Sequence, residues 1–498
     1  MRSIIMKNVL RFTGKFLLCG AVLLFIPVNM YLININELFA FLFSVCWIVF
    51  WAFIIREKKK ALNVIMGIWA VVLIVLMFAA TELNAYWNTQ IRRIGGFRDS
   101  LEGNTVLTRS QALEDYDFAM KYLNRIHPLA YGGLPEDVSE RAAQVRDDIK
   151  NRDGITVREL AIELEQIFSM LGDGHTHVDE NIPDRHYMKY IYAHNTGGYT
   201  LAGINGISLE DLFEQCRNRL SYETVSYGMK NLKAYCSTLE GLDFIGVDIN
   251  SPVTYNYVSE DGEKDDVTVT AEDFLSTAEY IDYIKETTGD DLSEKEEKDF
   301  VYYDIDEDLS LAVLTVDSCD YNSFYRKTLK EMFDEVDEKG ISTVVVDLRN
   351  NGGGSSMVAD EFIHYLDVPS YRTWASDVRY NFFVVPYKSS VMSNNRKGPG
   401  FSGDVYILTS VFTYSAAMDF AMLIQDNGLG TIVGEPSGNL PHSYGDVACF
   451  SLPNSGLYMQ VSRKTWYRVD TSKEYLPVIP DIECDPAEAL ETVEEMLR

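Results

Sequence analysis

Three short segments of the 498-residue chain carry residue types that could do chemistry. In "VVVDLRNNGGGSS", Gly352, Gly353 and Gly354 directly follow a β-branched run. Glycines at a strand end let backbone N–H groups turn toward a bound oxygen, and the amino terminus of a following helix favours negative charge. The turn suits a phosphate cradle, an oxyanion hole or a plain tight turn. It has neither the lysine of a P-loop nor the spacing of a dinucleotide-binding turn. In "TSVFTYSAAMDFA", Ser415 stands at a strand-to-helix junction before two alanines. Its hydroxyl either projects from the sheet edge beside the Ala416 N–H or simply caps the helix. In "LGDGHTHV", His175 sits in a glycine-flanked turn, with His177 two positions on. Asp173, His175 and His177 lack a supporting HExxH pattern, so a metal site is weakly signalled and a surface turn is the plain alternative.

The elements that must hold these segments follow from periodicity. Residues 109–149 read as helical, interrupted at His127-Pro128 and Gly132-Gly133, and a second helix fits Thr156 to Leu171 with Thr156 as its cap. "YTLAGINGISLEDLFEQC" reads as strand, Asn-Gly turn and helix from Ser208, and "VTYNYVSEDGEKDDVTV" as a hairpin about Asp261-Gly262. This stretch suggests a compact β-rich, PDZ-like module over residues 191–300, closed by a charged linker. Beyond it, strands at 310–316, 342–348 and 404–410 alternate with helices at 321–338, 355–366 and 415–426. Continuous β-branched runs in that rhythm predict a buried α/β sheet. The turn-rich segment 367–403 is expected to be a lid.

Charge divides the chain. The formal net charge of −30 excludes a phosphate-binding, nucleic-acid surface. Residues 1–94 hold ten basic and three acidic residues, a net +7 against −37 for the remainder. Three uncharged apolar runs, about 16–33, 38–55 and 61–81, are long enough to span a bilayer as helices. Basic clusters precede the first run and fill "REKKK" between the second and third, whereas "NINE" between the first two has none. The amino terminus is therefore expected in the cytoplasm, and residues 95–498 outside it, anchored to membrane lipid. The seven cysteines form no CxxC or Cys/His spacing for zinc.

Taken together, the segments resemble the serine peptidases of the C-terminal processing peptidase and tricorn-core family. "VVVDLRNNGGG" is similar to its glycine-rich strand end and "TYSAAMDFA" to its nucleophile motif. "IVGEPSGNLPHSYGD", "FSLPNSGLYMQVS" and "VIPDIEC" follow in the family's order. "LNRIHPLAY" and "LEQIFSMLGDGHTHV" resemble the amino-terminal part of its tricorn-like branch. The resemblance implies a crotonase-like β/α spiral core over residues 301–498, a helical subdomain over 95–190 carrying the histidine motif, and protein or peptide substrates cleaved without metal or cofactor. The family's Ser–Lys branch has a lysine about two dozen residues after the serine. "QDNGLGTIVGEPSGNLPHSYGD" contains none, and the next is Lys464. The resemblance therefore implies Ser415 as nucleophile, His175 as general base, and Glu474 (or its neighbour Asp470) as the acid that orients the imidazole. It also implies an oxyanion hole from the N–H groups of Gly353 (or Gly352) and Ala416. Met418 stands where the family often has glutamate, and Pro477 where it usually has glycine. Two other readings accompany this one: a noncatalytic member that binds peptide or lipophilic ligand in the cleft, and a membrane sensor whose ectodomain has this fold.

Overall fold

The computed structural model describes residues 98–290, 292, 299–380 and 383–498, together with isolated positions nearer the amino terminus. The three apolar runs expected to span a membrane lie outside the described residues, apart from scattered helical positions of the third between Val64 and Val75. Among the described residues no helix is long and apolar enough to cross a membrane.

Two helices open the described chain, α1 (Arg109–Ile126) and α2 (Glu136–Asn151). Thr108 caps α1 in a reciprocal box with Gln111, and the helix ends where His127 precedes Pro128. α3 (Val157–Phe168) starts at the predicted cap, Thr156, and buries Leu160, Leu164, Ile167 and Phe168 on one face. The glycine-flanked turn follows, then the short strand β1 (His177–Asp179). The middle of the chain forms an antiparallel sheet around β2 (Tyr199–Ile204), β3 (Val253–Ser259) and β4 (Lys264–Val269), the last two joined by the predicted hairpin. α4 (Leu209–Cys216) carries the predicted Ser208 cap, and α5 (Val225–Cys236) follows it after a short loop. These helices and strands share one apolar core with α1–α3.

The carboxy-terminal half is a six-stranded sheet in the order β5 (Val301–Asp306), β6 (Leu311–Val316), β7 (Thr343–Asp347), β10 (Asp404–Thr409), β11 (Thr431–Gly434) and β14 (Ile482–Glu483). All neighbours are parallel except β5, which pairs antiparallel with β6. Val344, Val345 and Val346 are fully buried, because helices cover one face and the carboxy-terminal helix the other. Of the crossover helices, α6 (Ser323–Lys339) fits the predicted span, whereas α7 is confined to Met357–Ile363. α8 (Ala416–Asp426) is apolar on nearly every side and buried from Ala416 through Ile424.

Segment 367–403 is not a free lid. It contains β8 (Ala375–Tyr380) and β9 (Phe383–Tyr387), which extend a second sheet built on β12 (Ser443–Ser451) and β13 (Tyr458–Tyr467). Backbone pairing to β13 outweighs the turn-forming composition that suggested a loop. The long β12–β13 hairpin joins the two halves. Ala448, Phe450, Met459 and Val461 enter the amino-terminal core, and Met459 pairs with Val178 of β1.

Candidate functional site

Ser415 occupies a strained corner. It precedes α8 with φ 54° and ψ −123°, a left-handed backbone conformation rare outside glycine. Such conformations cost about 1–3 kcal/mol and persist only where surroundings over-determine them. Here the surroundings are hydrogen bonds. Ser415 N–H donates to Asn439 Oδ1 at 2.8 Å, and Tyr414 N–H donates to the Asn351 carbonyl at 3.0 Å. Thr413 Oγ1 donates to the Leu348 carbonyl at 2.8 Å. Asn351 is fully buried and also donates from Nδ2 to the Val316 carbonyl, so its backbone and side chain together tie the end of β6 to the serine turn. The side chain of Ser415 makes no capping bond to its own helix.

The glycine turn lies against this corner. A Cβ on Gly353 would stand 2.7 Å from Ser415 Cβ and 3.0 Å from Ala416 N, and φ there is +106°, so only glycine fits. The Gly353 N–H, assigned by the resemblance to an oxyanion hole, donates instead to Asn351 Oδ1 at 2.8 Å. A side-chain amide two residues back is the nearer acceptor and closes a local turn. Gly354, not Gly353 or Gly352, lines the cleft beside Ser415, together with Ala416 at the first position of α8.

His175 reaches the same cleft from the other half of the molecule. The cleft encloses about 310 Å³ and is also lined by Met418, Asp419, Tyr444, Lys464 and Trp466. β13 fixes the histidine turn: Gln460 Nε2 donates to the His175 carbonyl at 2.8 Å, and Ser462 N–H donates to Thr176 Oγ1 at 2.9 Å. Gly174 lets Tyr414 approach, since a Cβ there would sit 2.3 Å from the phenol oxygen. His175 Nδ1 faces Tyr414 Oη at 3.5 Å, Glu223 Oε1 at 3.6 Å and Asp173 Oδ1 at 3.7 Å. Nε2 is buried and has no hydrogen-bond partner, so Ser415 and His175 share the cleft without being bonded to each other. Long or absent catalytic hydrogen bonds are common before substrate arrives.

Asp173 is fully buried. It accepts from His175 N–H and from Thr176 Oγ1, and pairs with His127 Nε2 at 3.1 Å. His127 Nδ1 accepts the Leu129 N–H, which leaves Nε2 as the nitrogen that donates to Asp173. Burial pushes the Asp173 carboxyl up. The hydrogen bond from His127, and the electrostatic pull of the His127 and His175 rings, more than offset this and hold it well below the usual carboxylate range. Burial also favours the neutral form of His175, yet Glu223 and the charge of Asp173 outweigh it and raise its pKa above the ordinary value. Asp419, one turn into α8, is pushed up to about 7 by burial, with His175 and Lys464 partly offsetting.

The acid that resemblance placed behind the imidazole is elsewhere. Glu474 Oε1 pairs with His442 Nδ1 at 2.6 Å, and Asp470 caps the short helical turn after it through Ser472. Neither touches His175. Glu223, which sequence reasoning missed, stands in that place. It lies just before α5 in "LSYETVSYG", with no local signal of function. Its other oxygen takes the Leu440 N–H at 2.9 Å, and the neighbouring Thr224 Oγ1 donates to Gly438 O at 2.7 Å. His177 points away from His175 into a separate cavity of about 400 Å³ beside Glu165 and Asp179.

Comparison with known proteins supplies the frame. Residues 310–484 match the family model described as peptidase family S41. Mature CPAF complexed with lactacystin superposes with a TM-score of 0.54 at 12% identity, over 78% of this chain and 98% of that one, which is a likeness of fold. The photosystem II D1 C-terminal processing protease aligns over 78% of this chain and 97% of its own at 13% identity, with a TM-score of 0.44.

Proposed function

We propose, from the premise that residues 310–484 are a peptidase family S41 domain and the chain a peptidase, that it is a serine endopeptidase acting through an acyl-enzyme. Ser415 is the nucleophile and His175 the general base. The observation that carries the reading is the convergence of a strained, solvent-reaching serine and an imidazole with an unpartnered Nε2 on one cleft. The neutral imidazole keeps its proton on Nδ1, against the Glu223 and Asp173 carboxylates. Nε2 takes the Ser415 proton as Oγ attacks the scissile carbonyl, and returns it to the leaving amine. Water then repeats the transfer to release the acid. Glu223 orients the ring and stabilises the imidazolium. Developing negative charge on the carbonyl oxygen falls near the Ala416 N–H at the head of α8 and the Gly354 backbone.

The reading extends to location. Three apolar runs with basic flanks support a multi-pass membrane anchor with the amino terminus in the cytoplasm and the peptidase outside it, facing protein or peptide substrates. Accessibility of residues beyond 95 to a protease added to intact cells tests this, and complete protection overturns it.

For the chemistry, the full chain in detergent is treated with a serine-directed fluorophosphonate. Covalent labelling mapped to Ser415, lost together with peptide cleavage in Ser415→Ala, is expected, and His175→Ala is expected to lower both by about 10²–10⁴-fold. Undiminished cleavage in either variant rejects the mechanism.

A further inference from the structure

The side of His175 turned away from the cleft gathers three groups of the kind that ligate metals. Nδ1, Asp173 Oδ1 and Glu223 Oε1 all lie within 4.8 Å of one another, the two carboxylate oxygens at 3.7 and 3.6 Å from the nitrogen. Ligands of a tetrahedral zinc ion at about 2.0–2.2 Å from the metal stand about 3.4 Å apart, so each carboxylate oxygen needs to close on Nδ1 by only a few tenths of an ångström, and the two oxygens already lie within 4.8 Å of each other. A second observation points to a ligand. Glu223 Oε1 is buried, its side chain 1% exposed, and makes no hydrogen bond although it is aimed at this point. A buried carboxylate oxygen without a donor is costly, and a cation would satisfy it. The outer groups are already in place: His127 and Thr176 hold Asp173, and the Leu440 N–H holds Glu223.

We infer that this pocket binds a zinc-class divalent cation on His175 Nδ1, and that binding switches the peptidase off. The inference rests on the Ser415–His175 reading for its consequence, but not for the binding itself. One imidazole nitrogen with two carboxylates selects zinc, or cobalt as its mimic, over magnesium and calcium, which prefer all-oxygen sites. The cation takes the Nδ1 lone pair, and the single proton of the neutral ring then resides on Nε2. The atom facing the cleft becomes a donor, with no lone pair to accept the Ser415 proton. No covalent bond is made or broken apart from this proton shift, so a chelator reverses the block. Tyr414 Oη, at 3.5 Å from Nδ1, is placed to close the fourth position directly or through water.

The test separates binding from catalysis. Full-length Ser415→Ala protein is titrated with Zn²⁺ by calorimetry and with Co²⁺ by visible absorption. One tight site with tetrahedral cobalt bands is expected, weakened at least about tenfold by adding Glu223→Gln and likewise by Asp173→Asn, with no response to Mg²⁺ or Ca²⁺. Circular dichroism checks that each variant is folded, and His175→Gln gives a third, partly exposed position whose loss must also remove the cobalt bands. On the wild type, Zn²⁺ is expected to stop cleavage and EDTA to restore it. No binding up to millimolar cation, or binding indifferent to all three variants, overturns the site. Binding with cobalt bands in a wild type that cleaves nothing keeps the site and rejects the peptidase reading.

Discussion

The two halves of the molecule hold their reactive residues by different physics. Ser415 is set by backbone geometry: a left-handed φ, a glycine with no room for a Cβ, and neutral amide bonds through Asn351 and Asn439. His175 is set by charge, with Asp173 and Glu223 buried about its Nδ1 and a second histidine behind them. A strained corner is all-or-none, because interiors are close-packed and cannot yield a little. An electrostatic seat is graded, and responds to pH and to cations.

The sharpest way to break that contrast is Gly353→Ala. One methyl group 2.7 Å from Ser415 Cβ, on a residue at φ +106°, should displace the nucleophile and cost at least about 10³-fold in kcat/KM while the protein still melts cooperatively. Normal kinetics in a folded variant would mean the corner is not a constraint.

Glu223→Gln is expected to cost less, about 10²-fold, and to show a signature the glycine variant lacks. The base must be neutral, and Glu223 raises the pKa of His175, so activity should rise with pH through a midpoint above the ordinary histidine value. Removing the carboxylate charge should move that midpoint to lower pH. A midpoint that stays put, or moves up, rejects Glu223 as the partner of the ring. His127→Asn, one layer further out, should lower kcat by about tenfold or less with KM unchanged, because it reaches His175 only through Asp173.

The smallest effect concerns stability. Burial raises Glu165 to about 8, against donors from Val178 N–H and Ser221 Oγ that pull the other way. A carboxyl raised in the folded state stabilises fully below its unfolded value near 4.5, and this contribution is lost as pH climbs toward the folded value. Melting temperature in the wild type should therefore fall between about pH 4.5 and 8, and Glu165→Gln should flatten that fall by a few degrees. Equal slopes in thermal melts of the two proteins would show that Glu165 ionises freely.

What the sequence made legible follows the same division. The serine corner is local: a β-branched run, a glycine turn and a helix apolar on all sides announce themselves within a few dozen residues. The caps at Thr156 and Ser208 and the Asp261-Gly262 hairpin were equally readable, because their bonds close within a few positions. The seat of the histidine is not local. Glu223 arrives at the ring only through contacts of its neighbourhood with Gly438 and Leu440, more than 200 positions away, and nothing in "LSYETVSYG" marks it. Glu474 was implied by the family resemblance, at the acidic position before "PDI", but its carboxylate pairs with the His442 ring instead. Segment 367–403 reads as loop because its strands are short and are joined to a larger sheet only through the distant residues 464–467.

The β12–β13 hairpin has one more consequence. It pins the turn of His175 from residues 460–462, so the proposed base is seated only after these residues have been made and the two cores have closed on each other. An unfinished or half-folded chain would possess the serine and the histidine but not the pair. On the proposed reading, the long sequence separation that slows the search for the native state also delays assembly of the reactive pair.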